Sequence, residues 1–286
     1  MKNLIKTRFG ISIIVLSIIA FISCTKTEDE NIDDINIDLN TNYTEEVQAA
    51  EDNATAENLS NEVFNIIDDA SKSSNNSLNN YKKLDGTDSI KITKEDHLIS
   101  IDFGNGYLTK KGRLIAGKIS ASYNGKYLDS LAGYNCYITF ENFSIDNNSI
   151  KGFKSINGKG LINGNLTYEL SAVDTITLAN NEGTITWNTE RVRTWTKGAN
   201  TPINWLDDEY SITGSSSGIS KDNKAYNVDV VTPLIIKTEC KYITQGSLKL
   251  TVSGKKPITI DYGSGDCDDK ATVTVLGQEV EITMGY

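Results

Sequence analysis

The chain is short of the residues that interrupt sheets and of those that carry most enzyme chemistry. Only three prolines occur in 286 residues, so almost any stretch is free to donate its backbone N–H groups to a ladder. His97 is the sole histidine, which removes most general-base schemes. No C-x-x-C or H-E-x-x-H spacing exists to hold zinc, and no cofactor is expected. Basic excess is also missing: 28 Lys and Arg face 38 Asp and Glu, a net charge of −10. Nucleic-acid binding needs cationic side chains to neutralise phosphates, so that class is excluded. The crossover helices that a parallel α/β sheet requires are absent from the pattern.

What is present begins with an address. Lys2, Lys6 and Arg8 precede an apolar run from Ile11 to Ile22, the layout of a signal peptide over residues 1–23. The run is shorter than the roughly 20 apolar residues that cross a bilayer. It ends in "FISC", with small Ser23 directly before Cys24. This has the form of a bacterial lipobox, although Phe21 stands where leucine is usual. It predicts cleavage before Cys24, acylation of that cysteine, and a membrane partner engaged through the lipid.

Residues 25–70 hold 14 acids and a single base, Lys26, which leaves 24 acids and 24 bases in 71–286. The net charge therefore lies in the N-terminal arm and the body is neutral. Residues 24–42, including "TKTEDENIDDINIDLNTN", have little to bury and read as a solvated acidic tether. A helix is predicted over 43–71. Leu59, Val63, Ile66, Ile67 and Ala70 share one helical face, and Thr44 with Glu45 and Glu46 suits the N-terminal end. The first half of this segment is polar enough to fray. Residues 72–88 read as a linker.

From 89 to 286 the hydrophobic period becomes two. Ile99, Ile101 and Phe103 alternate with polar neighbours. So do Ile119, Ala121 and Tyr123; Cys136, Ile138 and Phe140; Tyr226, Val228 and Val230; Ala271, Val273 and Val275; and Val280, Ile282 and Met284. Gly- and Asn-rich turns separate these runs. The prediction is a mainly β fold, an antiparallel two-layer meander or sandwich preceded by one amphipathic helix, with the core covered by a second sheet or by that helix. "ISIDFGNG" at 99–106 and "ITIDYGSG" at 258–265 match in pattern, a repeated turn rather than two repeated domains.

Few motifs offer chemistry. "GSSSG" at 214–218 fits Gly-x-Ser-x-Gly around Ser216, but it joins strand to strand and lacks a histidine base, so a hairpin loop is expected. "GRLIAGKI" at 112–119 lacks the Ser or Thr of a phosphate loop, and its apolar residues mark a strand. Trp205 beside Asp207, Asp208 and Glu209 is a candidate sugar site, since aromatics with carboxylates suit sugars, or else a polar loop; the three carboxylates offer oxygens to Ca²⁺ but without EF-hand spacing. "RVRTW" sets Arg191, Arg193 and Trp195 on one strand face. These three are a candidate ligand-binding stripe if they face solvent, or simple cross-strand ladders if not. With Cys24 acylated, Cys136, Cys240 and Cys267 allow at most one disulfide. Cys240 and Cys267 are the expected pair, because two meander strands lie between them, and Cys136 is on an apolar face.

Taken together, the lipobox, acidic helical arm, "IDFGNG", "RVRTW", "EYSITGSSSG", "VTPLIIKTEC" and the C-D-x-K-A-x-V run of "IDYGSGDCDDKATVTV" resemble a group of Bacteroidetes outer-membrane and surface lipoproteins. That group often carries a cysteine soon after its first I-D-[FY]-G-x-G, where this chain has Tyr107. The resemblance implies an outer-membrane, lipid-anchored location with exposure at the cell surface, but no catalytic or cofactor residues. It also implies O-glycosylation acceptors in "DSI" at 88, "DSL" at 129 and "DTI" at 174. The functional expectation is a non-enzymatic envelope protein that binds a glycan or an outer-membrane partner protein. The alternative is a polysaccharide hydrolase working through a carboxylate pair.

Overall fold

A computed structural model describes residues 43–72, 81–83, 90–201 and 204–284. The expected signal peptide, Cys24, the tether and most of the linker lie outside the described residues. One helix, α1 (Thr44–Lys72), is followed by strands β1 (Tyr81–Lys83), β2 (Lys91–Glu95), β3 (Leu98–Asp102), β4 (Tyr107–Thr109) and β5 (Leu114–Asn124). Then come β6 (Asn135–Ile145), β7 (Asn148–Ile162), β8 (Asn165–Thr177), β9 (Thr184–Lys197) and β10 (Glu209–Ile219). The chain ends with β11 (Ala225–Lys237), β12 (Gln245–Val252), β13 (Ile258–Ser264), β14 (Lys270–Val275) and β15 (Gln278–Thr283).

Among the described residues all 15 strands belong to one antiparallel sheet; from β4 to β15 each strand pairs with the next in sequence, and β3, paired with β2, branches onto β5. This is the expected antiparallel meander. Short β1, which pairs with β4, falls inside the stretch expected to be linker. The turns use residues that tolerate left-handed backbone. Asp96–His97 and Asp146–Asn147 both have positive φ at each position, as two-residue hairpins require.

The sheet covers its core with the helix rather than with a second sheet. Of the 29 residues of α1, 19 are buried, polar ones included: Asp52, Asn53, Glu57, Asn58, Ser60, Glu62 and Asp68. Asn53 and Glu62, nine residues apart, point roughly 180° from one another on a helix. Both nevertheless meet the sheet, Asn53 through Trp187 on β9 and Glu62 through Lys111 beside β4. Strands therefore line opposite sides of α1. The polar first half of α1 does not fray; it packs because its side chains are met by polar partners. The expected apolar face is there too, with Leu59, Val63, Ile66, Ile67 and Ala70 all in the core.

The repeated turn is a repeat of geometry. Gly104 N donates to Asp102 Oδ1 at 2.8 Å, and Gly263 N donates to Asp261 Oδ1 at 2.8 Å. Both glycines have positive φ, which an Asp-initiated turn of this kind favours. Phe103 and Tyr262, between Asp and Gly, are both buried. In the second copy Cys267 is bonded to Cys240, with Cα atoms 5.5 Å apart. The neighbouring aspartates serve backbone: Asp268 Oδ1 accepts from Lys270 N, and Asp269 O from Met284 N.

Candidate functional site

The residues singled out in the sequence are placed mainly inside. Arg191, Arg193 and Trp195 do share a face of β9, but it is the face toward α1, where they are 4%, 3% and 1% exposed. Arg191 is paired with Glu57 and lies 3.2 Å from Ser216 Oγ. Arg193 Nη2 reaches Asp68 at 2.8 Å and Asn65 at 2.9 Å, with its guanidinium 3.6 Å from the Tyr210 ring centre. Lys72 sits 3.9 Å over Trp195. This is a helix-docking surface, and the reading as a solvent-facing ligand stripe is corrected. Burial of these cations is tolerated because acids on the helix meet them, which pairing of strands alone could not provide.

The carboxylate cluster does not converge. Asp208 is buried and accepts from Lys72 Nζ at 2.6 Å. Its Oδ1 is an interior atom without a hydrogen-bond partner, and desolvation raises its pKa. Asp207 faces outward and accepts from Thr201 Oγ1, while Glu209 pairs with Lys197 at 2.6 Å. The Trp205 side chain lies outside the described residues. Among the described residues no three His, Cys, Asp or Glu side chains are grouped to hold a metal. "GSSSG" is neither an elbow nor a hairpin loop: it lies within β10, at a bulge between Ile212 and Ser215. Ser216 points inward, its Oγ 3.4 Å from Asn53 Oδ1. His97 is exposed at the β2–β3 turn, edge-on to Tyr123.

Sequence reasoning did not anticipate the ring of ion pairs around α1. The helix carries eight acids and only Lys72 as a base. The sheet answers with Lys111 at 2.6 Å from Glu62, and with Arg113, which also binds Asp146 at 2.8 Å. Lys94 caps the helix end by donating to Ala70 O at 2.5 Å. A small chamber of about 30 Å³ lies at this end, lined in part by Glu62, Asp68, Asp69, Lys72, Lys111 and Asp208. It has room for about one water. Burial there, with Asp68 beside it, pushes the Asp69 carboxyl up to about 6, against the pull of Lys72, Lys94 and Lys110. The chamber is a structural joint, too small for an organic ligand.

The outer face of the sheet offers more. Three open hollows of about 640, 570 and 460 Å³ adjoin one another there. The first two share Ser171, Glu190 and Ser215, and the second and third share Asn157. The resulting trough runs across the strands from Asp229 on β11 to His97 at the β2–β3 turn. Its floor is set by register: Ser155, Ser171, Glu190, Ser215 and Asp229 form one cross-strand row. The parallel row Phe153, Val173, Asn188, Ser217 and Asn227 flanks it. Short side chains leave the hollow, and amide, hydroxyl and carboxylate groups line it. At the β6–β7 part, Tyr137 and Phe153 are 47% and 38% exposed and stack with centroids 5.6 Å apart. No sequence pattern marked this site, because its residues come from successive strands and meet only through register.

No protein-family model matches the chain, and neither the curated proteins nor the solved structures contain a significant match.

Proposed function

We propose that this is a non-enzymatic, lipid-anchored outer-membrane protein, exposed at the cell surface through Cys24, that binds a neutral glycan along the outer-face trough. The observation that carries the reading is the stacked, exposed Tyr137–Phe153 pair, whose Tyr137 lines one end of a trough of Ser, Asn and carboxylate groups. Sugars present apolar ring faces and a dense array of hydroxyls. Aromatic faces and short polar side chains are the chemistry that recognises both. Among the residues that line the three hollows the one Lys or Arg is Arg191, and it is already paired with Glu57. That composition suits a neutral polysaccharide better than a sulfated or phosphorylated one. The lipobox and acidic tether support the anchoring and location.

A hydrolase would need an acid and a base across the scissile bond. Glu190 and Asp229 sit in one row two strands apart, about 10 Å by strand spacing, near the upper end for inversion. Both are exposed among the described residues, and the binding reading is therefore preferred. The test is a glycan array followed by affinity electrophoresis. Phe153→Ala and Tyr137→Ala are each expected to weaken glycan binding roughly tenfold, about 1.4 kcal/mol of stacking, with the melting temperature unchanged. Unaltered binding would overturn the site. Capture of a membrane protein instead of a glycan would point to the partner-protein reading. A Cys24→Ala form that still pellets with membranes would contradict the anchor.

A further inference from the structure

Lys154 and Asp174 face each other in the interior across β7 and β8, and their side chains are 0% and 1% exposed. Lys154 Nζ contacts Asp174 Oδ2 and donates to Ser60 Oγ at 2.8 Å. Two aromatic rings enclose the pair: Phe64 of α1 at 5.4 Å and Trp187 of β9 at 5.9 Å from Nζ. Trp187 lies directly opposite Asp174 in the strand register. Asp174 Oδ1 has no hydrogen-bond partner although it is fully interior. Other buried pairs in the molecule differ. Lys72–Asp208 borders the charged chamber, and Glu62 is shared between Lys111 and Arg113.

We propose that Lys154 and Asp174 are joined by an intramolecular isopeptide bond that the folded interior forms by itself. An ion pair placed in so dry a site carries a desolvation penalty that its attraction only partly offsets. An amide removes both charges and leaves the orphaned Asp174 Oδ1 as an ordinary carbonyl oxygen. The site also favours the reacting forms. Desolvation lowers the proton affinity of the Lys154 amine and raises that of the Asp174 carboxyl, against the mutual pull of the pair. A neutral amine is a nucleophile, and a protonated carboxyl is an acceptor whose hydroxyl can leave as water.

The Nζ lone pair adds to Cγ, so that the Nζ–Cγ bond forms and the Cγ–OH bond breaks. One amine proton departs with that hydroxyl as water, and Ser60 Oγ, already accepting from Nζ, is placed to relay it. The second proton stays on the amide nitrogen. No oxidant or cofactor enters. Holding amine and carboxyl in contact supplies effective molarities on the order of 10⁵ M or more, and the site excludes bulk water. The bond would tie β7 to β8 at the centre of the sheet, independently of the glycan reading.

The test uses the full chain carrying Cys24→Ala, so that no lipid complicates the mass. The reduced, denatured protein is expected to weigh one water less than its sequence. Trypsin is expected not to cut after Lys154, giving a species with two N-termini, Gly152 and Gly160, from peptides 152–159 and 160–191. Asp174→Ala should restore full sequence mass and cleavage after Lys154. A Cys24→Ala chain with Lys154 and Asp174 intact that has full sequence mass and releases peptide 155–159 quantitatively would overturn the proposal. That result is decisive whether or not the variant folds.

Discussion

Arg191 shows how one residue's role turns on which way a strand faces. Alternation places Arg191, Arg193 and Trp195 together, and they are together, but on the covered side of β9. A charge at 4% exposure is stable only with its counter-charge, and Glu57 on α1 provides it. Arg191→Ala would strand the Glu57 carboxylate in the interior and is expected to destabilise by about 3–5 kcal/mol. The double change Arg191→Met with Glu57→Leu removes both charges at similar volume and should recover most of that loss. Denaturant unfolding of the single and double variants measures it. Equal destabilisation in both would mean that packing, not the charge pair, sets the effect. A ligand-binding stripe would instead have left stability unchanged in the single variant.

At the scale of elements, the legible parts are those whose inward residues are apolar. Strands β3, β5, β6, β11, β14 and β15 announce themselves through Ile, Val, Ala and Tyr at every second position. Strands β7 to β9 do not, because Lys154, Asp174, Arg191 and Arg193 occupy inward positions where alternation leads one to expect hydrophobic residues. The same cause hides the first half of α1, whose Asp52, Asn53, Glu57 and Asn58 look like a solvated surface until their partners are placed. The outer trough is illegible for a different reason: it is a product of cross-strand register alone. The Cys240–Cys267 bridge was legible, since spacing and elimination left one natural pair. It fastens the segment after β11 to the turn between β13 and β14, closing a loop of 27 residues' separation. Loop-closure entropy gives such a bridge roughly 3 kcal/mol. Cys240→Ala with Cys267→Ala should therefore lower the stability by that order, and added reductant should then change nothing further. If reductant destabilises wild type and double variant alike, the bridge is not the source. Cys136 should not interfere, because burial pushes its thiol up to about 11.

For the whole molecule, charge and topology belong to one arrangement. The neutral body of the chain conceals a division: bases of the sheet turned inward at Lys111, Arg113, Lys154, Arg191 and Arg193, and an acidic helix that they surround. A meander whose strands pair mostly with sequence neighbours can be assembled locally, yet on β7 to β9 its largely apolar inner face carries Lys154, Asp174, Arg191 and Arg193, which are costly to bury without partners. It becomes a core only when α1 brings the matching acids. The helix, in turn, has too weak an apolar stripe to stand alone in water. Helix and sheet are therefore each other's condition for folding, and α1 should not open separately. Native-state hydrogen exchange tests this directly. Amides in the middle of α1, from Ala54 to Ile67, are expected to exchange as slowly as those of β8 and β9, through global unfolding alone. Their exchange free energies should fall in step with the sheet's as denaturant is added. Earlier exchange of α1, with the sheet still protected, would show a docked accessory helix and defeat the view that helix and sheet fold as one unit.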